Sequence, residues 1–370
     1  MKTRDAVLDY QKTMKDTETY EKDLDLTEPI SALDFELECT NGSLGNKGNY
    51  LSDICTKVEI SDGSDILTNL NFSQLQALQF YKTHKAPAMY FSEHASGTQR
   101  GGARLLFGRE LWDPLFGLDA SKYKNPKLRV TFNKAAIRAA STSGFATGDN
   151  IKLTVVAKVF ENAARPSKFL MQKQIESFTA AASGEKRIEL PTDYTYRMMM
   201  LRLYLAAWDV DLVCTNAKLT FDTDKFIAFD RKTKQLDREA EEFFGSITWE
   251  HNIYQQHDQS VRTVINKEPR IVPVNTSLGH IAGSCWAWGG LYNLGLCDHA
   301  GNAITTDEDV WTLQMGHALH STLPILFGRP DIPEEWLNPT AFKKAELVLT
   351  QANSTATAVC EIVLEQVRPQ

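Results

Sequence analysis

What most constrains this chain is a repeat of both wording and spacing. LLFGRELWDP (Leu105–Pro114) and ILFGRPDIPE (Ile325–Glu334) share Leu-Phe-Gly-Arg, 220 positions apart (327 minus 107). Each copy leads through a loop containing Pro and Asp to an alternating apolar segment, KLRVTF or AELVLTQ. A polar stretch then leads to a longer one, IKLTVVAKVFE or AVCEIVLEQV. Phe107 to Leu128 is 21 positions and Phe327 to Leu347 is 20. Upstream, KVEISDGSDILTNLNFSQLQAL from Lys57 aligns with KLTFDTDKFIAFDRKTKQLDRE from Lys218 at an offset of 161. Lys57 meets Lys218, Ile66 meets Ile227, Gln74 meets Gln235 and Leu75 meets Leu236. Each reads strand, turn (Asp62-Gly63 or Thr223-Asp224), strand, helix. Two copies of low identity mean a duplicated domain rather than a solenoid. The two offsets differ by 59 (220 minus 161), so the second copy carries 59 extra residues between Leu236 and Phe327.

Within each copy the dominant signal is period-2 alternation. It is clean in ALDFELEC, KLRVTF and IKLTVVAKVF, where Ile151, Leu153, Val155, Ala157 and Val159 share a face. Such alternation means half-buried strands of antiparallel sheets. Three segments read as helices: SQLQALQFYK with Ser73 as N-cap, TKQLDREAEEFF (Thr233–Phe244), and DEDVWTLQMGHALH, where Thr306 and Asp309 have capping-box spacing. The expected fold is all-β: two tandem eight-stranded jelly rolls with a few short helices and an enlarged loop region in the second. The expected boundaries are an N-terminal arm over 1–29, a first roll over 30–163, a linker over 164–185 and a second roll over 186–370. The inserted loops fall at about 245–321.

Composition narrows the class of function. A net charge of -7 without a basic block argues against a chain that wraps nucleic acid, because that affinity rests on neutralising phosphates. The charged start, MKTRDAVLDYQKTMKDTETYEKDLDL, does not read as a signal peptide. The longest apolar run, MMMLRLYLAAW, is short for a membrane span and contains Arg202. Six scattered cysteines without a CxxC pair fit a reduced setting better than a disulfide framework.

Candidate chemistry is thin. Cys285, Cys297, His299, His317 and His320 are the best metal candidates, with the last two at i, i+3 on the expected helix, but they lack the paired spacing of zinc sites. Packing beside Trp286, Trp288 and Trp311 is the preferred reading. Acidic groups occur at Asp222/Asp224, Asp307-Glu308-Asp309 and Glu334/Glu335. They are read as turn and helix-start residues, although Asp222, Asp224 and Asp230 could form a calcium turn. There is no nucleophile elbow, P-loop, HExxH or dinucleotide fingerprint. GSCWAWGGLYNLG reads as a loop with aromatic anchors. Asn41 and Asn353 match glycosylation acceptors and are expected to be bare. No catalytic, cofactor-binding or metal-binding residue is therefore assigned.

The organisation resembles that of the double jelly-roll major capsid proteins of tailless icosahedral viruses, the lineage linking lipid-containing bacteriophages and adenoviruses. The resemblance runs roughly from Ile30 to the end. It is carried by VEISDGSDILTNLNFSQLQAL, by LFGRELWD followed by NPKLRVTF, and by IELPTDYTYRMMMLRLYL. It implies a non-enzymatic subunit without cofactor. Three chains would make a pseudo-hexagonal homotrimer that meets neighbouring capsomers and tiles an icosahedral shell. It further implies minor capsid or vertex proteins as partners, no sequence-specific nucleic acid, synthesis in the host cytoplasm and residence in the virion. The segment from Met1 to about Leu26 would be an arm reaching neighbours or an internal membrane; a solvated tail is the equal alternative. The rival reading is a glycan-binding or glycan-cleaving protein on tandem jelly rolls, which needs acids and aromatics converging between the rolls.

Overall fold

The computed structural model describes residues 2–370 except 47, 140–143, 162–164, 256–258, 277–280, 299, 301, 304–307 and 353–356. The first copy contains β1 (Lys2–Met14), β2 (Thr17–Asp23), β3 (Ile30–Thr40), β4 (Cys55–Asp62) and β5 (Asp65–Leu70). The helix Phe72–Thr83, a short β6 (Met89–Tyr90), β7 (Thr98–Leu106), β8 (Pro126–Asn133) and β9 (Ile151–Glu161) follow. One sheet runs β1-β9-β3-β7 with β6 beyond it, and the facing strands run β2-β8-β4-β5. This is a jelly roll.

The second copy begins with β10 (Lys168–Thr179), β11 (Glu185–Leu190), β12 (Tyr196–Tyr204), β13 (Cys214–Phe221), β14 (Phe226–Lys232) and the helix Thr233–Phe244. An insert follows: β15 (Ile247–Gln255), β16 (Gln259–Arg262), β17 (Ile265–Thr276), β18 (Ile281–Trp288), β19 (Leu291–Cys297) and β20 (Glu308–Leu319). The roll closes with β21 (Thr322–Leu326), β22 (Ala345–Gln351) and β23 (Val359–Pro369). Its sheets run β10-β23-β12-β21 and β11-β22-β13-β14, the first roll's order repeated.

The two rolls share a sheet. β5 pairs in parallel with β10 (Thr68 with Gln172, Asn69 with Lys173), joining one sheet of each roll into eight strands.

Register confirms the duplication residue by residue. Leu33 pairs with Ala157 and Leu105, and Met199 pairs with Leu364 and Ile325. The helices correspond at the offset of 161. The offset is 159 in the preceding strand, however, because Ala217, not Leu219, has the pairings of Val58 (Leu349 and Arg231 against Val130 and Leu70). The second hairpin turn is two residues longer: Asp222 to Lys225 replaces Gly63-Ser64. The Lys57–Lys218 equivalence is corrected accordingly.

The core follows the alternation. Ile151, Leu153, Val155, Ala157 and Val159 are all fully buried, and each larger side chain contributes roughly 1.5–3 kcal/mol through burial.

Other expectations need correction. Residues 1–29 carry β1 and β2 rather than an arm. β1 is an edge strand in which, among the described side chains, Met14 alone is buried, so it shows no apolar alternation. The span 164–185 carries β10 rather than a linker. Phe169 to Gln172 are buried in succession because both faces are covered, Phe169 and Met171 by the first roll's core and Leu170 by Phe116 and Trp336, and alternation disappears. The third expected helix is strand β20, whose buried face includes Thr312 and Gln314. A polar inward face hid its period of two. Finally, Asn71 rather than Ser73 caps the first helix, accepting from the Gln74 amide while Gln74 returns the bond.

Candidate functional site at the junction of the two rolls

The helix Phe72–Thr83 lies where the rolls meet, and ten of its twelve residues are buried. Several of its polar side chains, and that of its N-cap Asn71, reach partners in the second roll. Asn71 and Gln74 donate to the Glu361 carboxylate (3.1 and 2.9 Å), which also takes Arg202 at 2.9 Å. The Tyr81 hydroxyl donates to the Thr322 carbonyl at 2.6 Å. Lys82 donates to the Leu106 carbonyl at 3.0 Å and to Glu365 at 2.6 Å.

Glu365 also receives Arg197 at 2.6 Å and Gln172 at 3.0 Å, so one buried carboxylate serves two buried cations. Burial alone would raise its pKa, but Lys82 and Arg197 overcome this and hold it at about 2. Burial pulls Lys82 down to about 8, more than the neighbouring Glu365 restores while Arg197 opposes it. Buried pairs of this kind add little net stability, but losing one member is costly because the other is left buried without a counter-charge.

The repeated Leu-Phe-Gly-Arg loops flank this network. Arg109 clasps the buried Asp113 (2.7 and 2.9 Å) and Arg329 clasps Glu335 at 2.9 Å. Each glycine permits the loop to fold back. A Cβ on Gly108 would lie 2.6 Å from Asp113 Cβ, and one on Gly328, at φ +92, would lie 2.6 Å from the Glu335 carbonyl oxygen.

The insert is tied down at both rolls. Arg262 reaches Asp53 of the first roll at 2.6 Å and lies over the Tyr50 and Tyr204 rings. Lys267 reaches Asp209 and Asp211 of the second (3.3 and 3.2 Å). The residues considered for metal binding are not brought together. His320 bonds Gln76 at 2.7 Å, His317 faces Asp237 at 3.2 Å, and Cys297 ends β19. His299 and the side chain of Cys285 lie outside the described residues. Among the described residues no group of three ligands could hold a metal ion.

The proposed calcium turn also separates. Asp222 takes the Lys343 and Lys344 amides, Asp224 takes Lys218, and Asp230 takes Asn216. Asp307 lies outside the described residues, and Glu308 and Asp309 begin a strand rather than a helix. GSCWAWGGLYNLG is a hairpin turning at Gly289-Gly290, whose two positive φ angles meet the turn's demand. Asn41 is buried and donates to the Ser92 and His94 carbonyls, and Asn353 lies outside the described residues. The junction network itself escaped sequence reasoning. Its one signal was a helix with few charges on any face.

A scan against protein-family models finds no matching family, and a search of curated proteins finds no match. Solved structures do match over the whole chain. The STIV MCP superimposes with a TM-score of 0.62 at 10% identity, covering 99% of this chain and 96% of that one. PBCV-1 VP54 gives 0.57 at 11% identity (99% and 93%). The major capsid protein P2 of bacteriophage PM2 gives 0.53 at 11% (100% and 98%). Across both rolls and their shared sheet, this chain has the double jelly-roll fold of those capsid proteins.

Proposed function

We propose that this protein is a major capsid subunit that self-assembles as pseudo-hexameric trimers tiling an icosahedral viral shell. The carrying observation is the end-to-end match to structures of capsid proteins, with two like rolls side by side in one chain. Two near-equivalent units per chain and three chains give six near-equivalent corners, so one block can meet neighbours in several orientations. The mechanism is geometric and needs no catalysis or cofactor. The partners are further copies, neighbouring capsomers and minor capsid or vertex proteins, within a virion whose subunits are made in the host cytoplasm. A membrane-reaching N-terminal arm drops out of the reading, since Lys2–Met14 is occupied as β1.

The glycan reading finds less support. A groove of about 600 Å³ beside the helix Thr233–Phe244 contains Glu239, Glu242 and Glu335. Each is paired to an arginine: Arg231, Arg238 and Arg329. Arg329 holds Glu335 at about 2, the opposite of a general acid. Light scattering on the purified chain tests the proposal, with microscopy of the same peak. Three times 41.6 kDa with a hexagonal outline is the expected result. A compact monomer at all concentrations would remove the proposal's central requirement.

A further inference from the structure

We infer that the free outer edges of the two rolls pair between copies: β14 and the groove beneath it receive β1 of a second chain. This contact repeats between chains the junction that β5 and β10 make within one. It rests on the capsid reading and names the surface through which that assembly forms.

The argument is one of register. Inside the chain, β10 lies parallel to β5 with Gln172 beside Thr68, and the Leu170 amide donates to the Phe107 carbonyl at 2.8 Å. The second-roll counterpart of Thr68 is Phe229, because Thr68 pairs with Ile60 and Phe229 with its equivalent Leu219. The first-roll counterpart of Gln172 is Asp5. Gln172 pairs with Glu365 and Asp5 with Lys158, and those two residues pair with the equivalent Met198 and Ala32. The intrachain pair Thr68–Gln172 therefore maps onto Phe229 of one copy and Asp5 of the next. The Leu170–Phe107 bond maps onto Thr3 and Phe327.

Both mapped edges are terminal. β14 ends the sheet β11-β22-β13-β14, and β1 ends β1-β9-β3-β7-β6. A terminal strand presents unpaired backbone groups that template another strand. Exposed apolar side chains line both sides: Phe226 (42%) and Ile227 (44%) on β14, Phe243 (51%) on the helix beside the groove, and Val7 (61%) and Tyr10 (72%) on β1. At the matching place in the first roll the groove is filled by the buried run Phe169 to Gln172.

The helices tell the same story. The one covered by the second roll is buried on nearly every face, while Thr233–Phe244 buries only five of twelve residues. Charges also match: Lys232 replaces Asn71, and Glu36 replaces Arg202 beside the site that Asn71 contacts. Such a contact is head-to-tail, so it builds a ring when the rotation closes.

The test joins the mapped positions covalently. Paired strands lie about 4.8 Å apart, within reach of a disulfide. Cys39, Cys55, Cys214 and Cys360 are buried, which limits background linking. Mild oxidation of the Asp5→Cys/Phe229→Cys double variant should give covalent species that stop at three chains, while each single variant remains one chain on a denaturing gel. A second variant, Ile227→Asp, changes an exposed side chain and should reduce the native mass to one chain that keeps the parent's far-UV circular dichroism spectrum. A native trimer that neither links through the two cysteines nor responds to Ile227→Asp would overturn the β1–β14 contact and leave the capsid reading standing. A parent protein that is monomeric throughout would overturn both.

Discussion

Arg109 donates to the backbone carbonyl of Asp331, 2.8 Å away and 222 positions further along the chain. The first Leu-Phe-Gly-Arg thus touches the loop after the second. Arg197, beside Glu365, donates to the adjacent Pro330 carbonyl at 3.2 Å, so the same loop is held from the junction network. The repeated tetrapeptide marks equivalent places in the two rolls, and in the first it also helps to join them.

The two arginines should therefore differ on replacement. Arg109→Ala leaves Asp113, fully buried, without its cation and breaks the inter-roll bond. The carboxylate keeps the backbone amides of position 109 and Leu115, so the loss is that of the charge-assisted guanidinium bonds, about 2 kcal/mol. Arg329→Ala breaks an exposed, solvent-screened pair and should cost much less than Arg109→Ala. Urea unfolding of the two variants checks this. Equal losses would mean that the exposed pair contributes as much as the buried one.

Gly328→Ala should be worse than a typical glycine replacement. The backbone there is left-handed, and the added methyl would strike the Glu335 carbonyl. Strain of this kind costs about 1–3 kcal/mol, read as a lowered thermal midpoint. Gly63→Ala has a positive φ but open space around it, so its loss should be smaller.

Legibility in the sequence tracked how each strand is buried. β3, β8 and β9 have one face in the core and one outside, and their alternation is plain. β10, covered on both sides, and β1, on an edge, lost that signal and passed for a linker and an arm. β20 turned polar Thr312 and Gln314 inward and imitated a helix. The junction was illegible for a different reason. Lys82, Gln172, Arg197 and Glu365 are far apart in the chain, and only the parallel β5–β10 pairing brings them together. The insert's length was readable from two offsets, but its tether through Arg262 and Asp53, 209 positions apart, was not.

Glu365→Gln tests the junction network directly. It keeps the shape but leaves Lys82 and Arg197 buried without a counter-charge, a change that costs about 3–5 kcal/mol when one member of a buried pair is removed. Adding Lys82→Met to the same chain should recover part of that loss. A double-mutant cycle on unfolding free energies measures the coupling. Strict additivity would show that the two side chains do not act as a unit.

Acid should weaken the protein in two stages. Burial pushes His251 down to about 3, and burial together with the Arg202 charge does the same to His320. Below the ordinary histidine value of 6.5 the unfolded chain takes up protons that the folded chain refuses. The unfolded state then binds more protons, and stability falls as pH falls, by on the order of 1 kcal/mol per pH unit for each group. From about 4.5 down to 2, Glu365 adds to the loss as its carboxylate, ionised in the fold, is protonated. His251 packs on Tyr50 and Phe91 and His320 bonds Gln76, so both hold the insert to the first roll, and hydrogen exchange in the insert should rise first. Replacing His320 with Gln keeps a side chain able to bond there and removes one titration, which should flatten the fall between pH 6.5 and 4.5. A midpoint that stays constant over that interval in the parent protein would mean that the two rings are solvated rather than buried.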